Sequence, residues 1–304
     1  MLKSYTYKPS DIGIEAWPPG ELRLVDTVEV PPDQADIFIF PGPLFMFNAV
    51  EELDKLPYIR GNEARHIFFD CSDNKTYFTG KSCIFLRCNL MNELLAADPN
   101  SVSIAWPVED FSECIEPPPS GFKYDVSFHG WLSTKTREDA SNSCKNNSQL
   151  TSDIAQYQNF CGYIYYEPEG VRRRAEFRRS MKESRVALCP ESIPGVFPYR
   201  FFEAMSAGRI PVMVGSDFNL PFKDEIPYGT FCLFITRDEA SFAAEMIAAY
   251  LYHQTDSLLR EKGLLGRHYW ECFLNRDKWP EIMTYAVKKK LKELTLWDGE
   301  VGSL

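Results

Sequence analysis

The sequence has no apolar run approaching the roughly 20 residues that a membrane-spanning helix needs. Its opening residues, Met1-Leu2-Lys3-Ser4-Tyr5, lack the apolar core of a secretory signal. The expectation is a soluble, cytoplasmic chain. Cysteine is present but unorganised: the nine residues are odd in number and none are spaced Cys-x-x-Cys. Cys83, Cys161, Cys189 and Cys232 fall in apolar runs, where a thiol behaves as a small hydrophobe. This excludes a disulfide framework and suits a reducing compartment. The sequons at Asn74 and Asn146 are then expected to stay unused. Histidine is scarce, and His66, His129, His253 and His268 show no His-x-x-x-His spacing for a metal. Neither a P-loop nor a Gly-x-Gly-x-x-Gly is present, which argues against ATP hydrolysis and nicotinamide chemistry. Positive charge is outweighed, 33 basic against 43 acidic residues, and a net charge of -10 disfavours nucleic acid or an anionic membrane as partner.

What is there suits a two-domain globular protein. The 304 residues are long enough for two cores, and 44% are hydrophobic and 25% charged. Residues 1–34 are rich in proline and acidic residues with little periodicity, and are expected to wrap the surface. Strands are expected at Asp36–Phe40, His66–Asp70, Cys83–Leu86 and Val102–Ala105, with a helix over Phe45–Leu56. Glu116-Pro117-Pro118-Pro119-Ser120-Gly121 forms a semi-rigid spacer and the best boundary. A strand follows at Tyr124–His129, then a polar loop or short helix at 136–148, a charged helix at Glu169–Glu183 and a strand at Phe231–Ile235. Helices are expected from Asp238 to about Tyr252, over 256–270 and over 277–293. Strands alternating with helices predict an α/β fold with parallel sheets. The division is 1–120, 121–275 and a final helical segment 276–304.

Residues 185–222 organise the second half. Val186 to Cys189 is a short apolar run stopped by Pro190, as a buried parallel strand requires. Residues 190–198 hold three prolines and a glycine and form a rigid irregular loop. Pro198 suits the first turn of a helix running to Ala207, and Gly208 suits its C-terminal cap. Ile210 to Val214 is a second buried strand. This strand, loop, helix, strand unit presents a helix N-terminus at the carboxyl end of a sheet, where anions bind. Arg200 and Glu203 lie three apart on one helix face. Two readings fit: Arg200 clamps a diphosphate while Glu203 accepts ribose hydroxyls, or the two pair with each other on a solvated face.

These residues resemble a known family. Leu188-Cys189-Pro190, Arg200, Glu203-Ala204, Ala207-Gly208, Ile210-Pro211-Val212, Asp217 and Leu220-Pro221-Phe222 are similar to the C-terminal signature of the exostosin-like glycosyltransferases, family GT47. The match covers about 40 residues, and it departs at one place: the family's glycine soon after the proline is here Glu191, and a glycine comes only at Gly195. The resemblance implies a GT-B fold, two Rossmann-like domains facing a cleft, the first on the acceptor side and the second binding a nucleotide sugar, with the final helical segment 276–304 crossing back to the first domain. Most cellular members are membrane-anchored, so this chain reads as a soluble member or a shortened one. The implied reaction is inverting transfer of a sugar from a UDP-sugar to a glycan hydroxyl, a pentose such as xylose being one choice. Pro190 and Tyr199 fall in the implied donor site, although Tyr199 and Phe197 equally fit as core aromatics.

Further candidates flank the signature. Asp125-Val126-Ser127-Phe128-His129-Gly130 resembles the family's Phe-x-Gly strand end, so Gly130 would let a diphosphate approach the backbone. His129 would touch donor or acceptor, or be a packed strand-end histidine. Arg137 is the implied second cation. Arg172-Arg173-Arg174 and Arg178-Arg179 sit among Glu167, Glu169, Glu176 and Glu183, which reads as a solvated face with one arginine reaching the site. The run from Asn62 to Asp73 resembles the family's strand that ends in His-Asp, with Ser72 in the histidine's place. It makes Asp73 the candidate base for the acceptor hydroxyl, against an Asx-turn role, with Asp70 and His66 as substitutes. Transferases of the other large fold hold a divalent ion through Asp-x-Asp, a spacing this chain lacks, so no metal cofactor is expected. Arg200 and the helix N-terminus would stabilise the leaving diphosphate instead. The competing readings are an inactive sugar- or nucleotide-binding module in a glycan-assembly complex, and a hydrolase on a doubly wound sheet, for which no nucleophile elbow exists.

Overall fold

The computed structural model describes residues 1–12, 22–43, 50–71, 82–159 and 168–304. It divides into two compact units. The first comprises Met1–Trp106, Phe218–Phe222 and Asp277–Leu304; the second comprises Pro107–Asp217 and Lys223–Arg276. Each is a parallel sheet flanked by α-helices.

The first unit carries β1 (Leu2–Thr6), β2 (Thr27–Glu29), β3 (Ile37–Pro43), β4 (His66–Asp70), β5 (Ile84–Arg87) and β6 (Ser101–Ser103), in the spatial order β2-β1-β3-β4-β5-β6. Its described helices are α1 (Val50–Leu53), α2 (Asn92–Ala97) and α8 (Trp279–Glu293). The rest of the expected 45–56 helix lies partly outside the described residues. The expectation that residues 1–34 wrap the surface is corrected at its start. β1 is an interior strand, paired with β2 on one side and β3 on the other. Ladder bonds on both edges, rather than apolar alternation, define it, and even Ser4 is buried. The α8 segment joins this unit through Trp279, edge-on to Phe69 at 5.4 Å, and Thr284 Oγ1, which accepts from Val25 N at 2.8 Å.

The second unit carries β7 (Tyr124–Trp131), β8 (Ser152–Tyr157), β9 (Ser184–Pro190), β10 (Ile210–Val214) and β11 (Leu233–Ile235), ordered β11-β10-β9-β7-β8. Helices α3 (Lys135–Asn146), α4 (Pro168–Glu183), α5 (Tyr199–Ser206), α6 (Ala243–Tyr252) and α7 (Asp256–Phe273) cover it. The chain goes from β7 outward to β8, then returns to the other flank of β7 as β9. The order therefore reverses between β7 and β9, the switch point at which open α/β sheets hold ligands beyond their carboxyl ends. From Val186 onward β9, like all of β10, is buried on both faces, which is why these stretches read as unbroken apolar runs. β8 escaped the sequence reading because this half-buried edge strand mixes Ser152, Asp153 and Gln156 with Ile154, Ala155 and Tyr157 and has no long apolar run.

Among the boundaries that differ from the sequence reading, two bear on the second unit. The units part after Trp106, not at the 117–119 prolines. Residues 107–116 pack within the second unit, where Glu109 pairs with Arg174 and Arg178 and the Phe111 ring lies under both guanidinium groups. The helix expected from Asp238 starts instead with a capping box, Thr236 Oγ1 against Glu239 Oε2 at 2.6 Å, and a 3-10 turn at Arg237–Phe242 before α6.

In the first sheet His66 is a core residue. Its ring stacks on Phe38 at 4.7 Å, Nδ1 lies 2.9 Å from Asn62 O, and Nε2 lies 2.8 Å from Tyr7 Oη. Burial pushes its pKa down from 6.5 to about 4. Below pH 6.5 the unfolded chain takes up a proton that the folded chain refuses, so this contribution to stability is complete above 6.5 and is lost as pH falls to about 4. The total is about 3 kcal/mol. Urea denaturation at neutral pH and near pH 4 should show a loss steeper by about that amount in the wild type than in His66→Gln. Equal slopes would mean the imidazole is not held neutral.

Candidate active site

The site grows from the end of β7. Arg200, in the first turn of α5, donates from Nη2 to the carbonyl of His129. Its guanidinium carbon lies 4.5 Å from the Phe128 ring centroid and 5.3 Å from that of Phe177. Gly130 makes this possible. A Cβ there would stand 2.9 Å from Arg200 Nη2 and 2.9 Å from Phe128 Cζ, inside contact distance of both. The space that glycine leaves is thus taken up by the guanidinium and ring lying across the strand end.

Helix α5 is built as its sequence suggests, with one shift. Pro198 is the extended N-cap rather than a first-turn residue. Gly208, at φ +63°, ends the helix by donating to Met205 O at 3.0 Å. Phe197 packs on Phe201 and Phe202 and is buried, whereas Tyr199 is half exposed at the helix start. Arg200 and Glu203 do not pair with each other. Glu203, nearly buried, accepts from Arg174 Nη1 at 2.7 Å, and Arg174 Nη2 reaches Glu109 at 2.9 Å. Of the arginine run, Arg174 is therefore the inward residue, while Arg172 and Arg173 pair with Glu169 along α4.

Arg137 bridges two strand ends. Its Nε donates to Pro190 O at 3.3 Å and Glu191 O at 3.2 Å, and its Nη1 donates to Trp131 O at 3.1 Å. Burial, and then the charge of Arg200, push it down to about 9, which leaves it a cation at neutral pH. His129 is buried beside Asp153, Nε2 to Oδ1 3.3 Å, and neither ring nitrogen makes a hydrogen bond among the described residues. Burial holds its pKa below the ordinary value, against the pull of Asp153.

Asp73 lies outside the described residues. Of the two substitutes, Asp70 is held by Arg87 at 2.8 Å in a buried cluster with Asp98, and His66 sits in the core, so neither is placed to take a proton from a substrate. The sequence reading missed Glu191 and Arg237. The signal was there: a charged residue stands between Pro190 and Pro194 where the resembled signature carries glycine. Glu191 is fully buried and pairs with Arg237 at 2.5 Å. Beyond it Asp217 is held at φ +70°, 3.5 Å from Arg237.

A cavity of about 600 Å³ lies at the opposite, amino end of the same sheet, lined by Asp125, Arg185, Glu245, Tyr252 and Asp256 among others. A second cavity, of about 690 Å³, lies in the first unit against Met1, Asp26, Lys288 and Trp297, so volume does not single out a site. At the amino end of the second unit's sheet Arg185 is already spent on Asp125 and Asp256, at 2.6 and 2.7 Å, so the lining there has surplus negative charge and repels a phosphate. The carboxyl end, with Arg137, Arg200 and a helix N-terminus, has the sign an anion needs. Among the described residues, no group of three His, Cys, Asp or Glu side chains is placed to hold a metal ion, and no helix is long and apolar enough to cross a membrane.

The profile of the Exostosin GT47 domain matches residues 26–250, most of the chain. The chain belongs to the exostosin GT47 family. Its two parallel sheets with flanking helices are thus those of a glycosyltransferase domain. Solved structures similar to this GT47 chain include TarM, at 14% identity and TM-score 0.41, covering 80% of this chain and 57% of TarM, so the chain spans little more than half of TarM's length. The lipopolysaccharide outer core galactosyltransferase WaaB matches at 14% and 0.48 over 86% of this chain and 77% of its own. HepE of Anabaena, in complex with UDP, matches at 11% and 0.48 over 95% of this chain and 100% of its own. No curated protein sequence matches the chain.

The inward and outward arginines of α4 separate experimentally. Arg174→Met strips Glu203 of its partner in a nearly buried position, and should cost about 3 kcal/mol. Arg172→Met removes an exposed pair and should cost well under about 1 kcal/mol. Urea denaturation of the two variants measures the difference; equal costs would place Glu203 in solvent.

Proposed function

We propose that this chain is an inverting glycosyltransferase that moves a sugar from a UDP-sugar to a glycan hydroxyl without a divalent metal. The observation that carries the reading is Arg200, held across the glycine at the end of β7 at the start of a helix whose N–H groups face the switch point of a parallel sheet. Such a place binds a diphosphate in the ground state, and binds it more strongly as the leaving oxygen gains charge. The lack of Asp-x-Asp spacing in the sequence fits cations rather than a metal in that role.

The chemistry follows. The acceptor oxygen attacks the anomeric carbon and its proton passes to the carboxylate of Asp73. The bond from that carbon to the β-phosphate oxygen breaks, and its electron pair leaves with UDP. Arg200 and the α5 N-terminus meet the new negative charge. Arg137 adds positive potential while bracing the strand ends. Glu203, oriented by Arg174, accepts the ribose hydroxyls, Tyr199 flanks the donor, and His129 and Pro190 line its floor. The sugar is proposed to be a pentose such as xylose.

Thermal-shift titration with UDP, GDP and a panel of UDP-sugars, with and without EDTA, tests this. At 100 times its dissociation constant UDP should add about 2.7 kcal/mol. The gain should survive EDTA and vanish in Arg200→Ala, and the strongest UDP-sugar should be transferred. A flat response to every nucleotide, or a response unaffected by Arg200→Ala, would contradict the assignment.

A further inference from the structure

We propose that Glu191 is the positioning residue of the donor site: its carboxylate holds the loop 191–198, and with it the N-terminus of α5, in the shape that receives the diphosphate. This rests on the reading of the second unit as the donor-binding one. Oε1 accepts from Thr136 Oγ1 at 3.2 Å and Arg237 Nε at 2.5 Å. Oε2 accepts from Gly195 N at 3.2 Å, Arg237 Nη2 at 3.2 Å and Ser216 N at 3.5 Å. The main chain of the same residue adds three more bonds. Its N–H donates to Val214 O at 2.9 Å, and its carbonyl accepts from Thr134 Oγ1 at 3.1 Å and Arg137 Nε at 3.2 Å.

These partners come from the ends of neighbouring strands. Thr134, Thr136 and Arg137 follow β7, Gly195 lies in the loop after β9, Val214 and Ser216 close β10, and Arg237 follows β11. One side chain therefore fixes the loops that rise from the carboxyl edge at β7, β9, β10 and β11. Gly195, at φ +80°, turns the loop so that its N–H points back to the carboxylate. Three residues later Pro198 caps α5, and Arg200 follows. A shift of the carboxylate would move that helix start.

The surroundings demand a carboxylate. Every group against its oxygens donates, and Arg237 supplies the compensating charge that a fully buried anion requires. An amide would turn its own NH2 toward donors. The same pairing decides the fate of Arg237, whose Nε and Nη2 are committed to Glu191 and whose Nη1 faces Asp217. That cation is a tether for the loop, and Arg200 is the cation at the helix start.

Calorimetric titration of UDP into wild type, Glu191→Gln, Arg237→Met and Arg237→Lys, with hydrogen exchange on each free protein, tests the role. Glu191→Gln and Arg237→Met should weaken UDP about tenfold or more, and should lose protection across 192–202 while β9 and β10 keep theirs. Arg237→Lys, which restores the charge, should recover part of the affinity. Should Glu191→Gln fail to fold, Arg237→Met, which removes a partly exposed partner, carries the test. Variants that melt earlier yet bind UDP as the wild type does would overturn the positioning role and leave the donor site standing. A wild type that binds no UDP would overturn the donor site and this role with it.

Discussion

The guanidinium of Arg200, laid across the end of β7, is the constraint on which the carboxyl end of the second sheet depends. It needs three things at once: a strand end without a Cβ, a carbonyl to accept its N–H, and a helix that starts where its side chain can reach. Gly130, His129 O and the Pro198 cap supply them. The Phe128 and Phe177 rings beside the guanidinium add cation–π attraction and hold it in plane. Losing any of these would let the side chain swing to other rotamers, and a clamp must be preorganised to be effective.

Around it the remaining arginines divide the labour by what they are tied to. Arg137 is bonded to carbonyls, so it braces strands while keeping its charge. Arg174 and Arg237 are bonded to buried carboxylates, Glu203 and Glu191, so their charges are largely cancelled locally. Arg137 and Arg200 stand close enough for the charge of Arg200 to lower the pKa of Arg137, at the end of the sheet where α5 begins and the helix dipole adds partial positive charge. Under the proposed reading, a net charge of -10 is no obstacle to a diphosphate, because the local balance, not the total, sets the field at a site.

Much of this was legible in the sequence, and the reasons are specific. β9 and β10 declared themselves because parallel strands buried on both faces must be apolar throughout. The end of α5 was marked by Gly208, since few other residues accept its φ of +63°. β1 and β8 were not legible. One is defined by pairing along both edges and the other is a half-buried edge strand, and neither demands an apolar pattern. Side-chain partners were the least legible. Nothing in the i, i+3 spacing of Arg200 and Glu203 tells that Glu203 pairs with Arg174, which sits 29 residues away on another helix. Likewise a glutamate in a proline-rich loop looks like a surface residue until the donors that surround it converge from distant strands.

The most direct test of Arg200 as the diphosphate clamp is a crystal structure of the protein with UDP. The diphosphate should lie within hydrogen-bond distance of Arg200 and of the first N–H groups of α5. A diphosphate bound at the opposite end of the sheet, among Asp125, Arg185 and Asp256, would contradict that role, and the donor-site roles of Glu203 and Glu191 would fall with it.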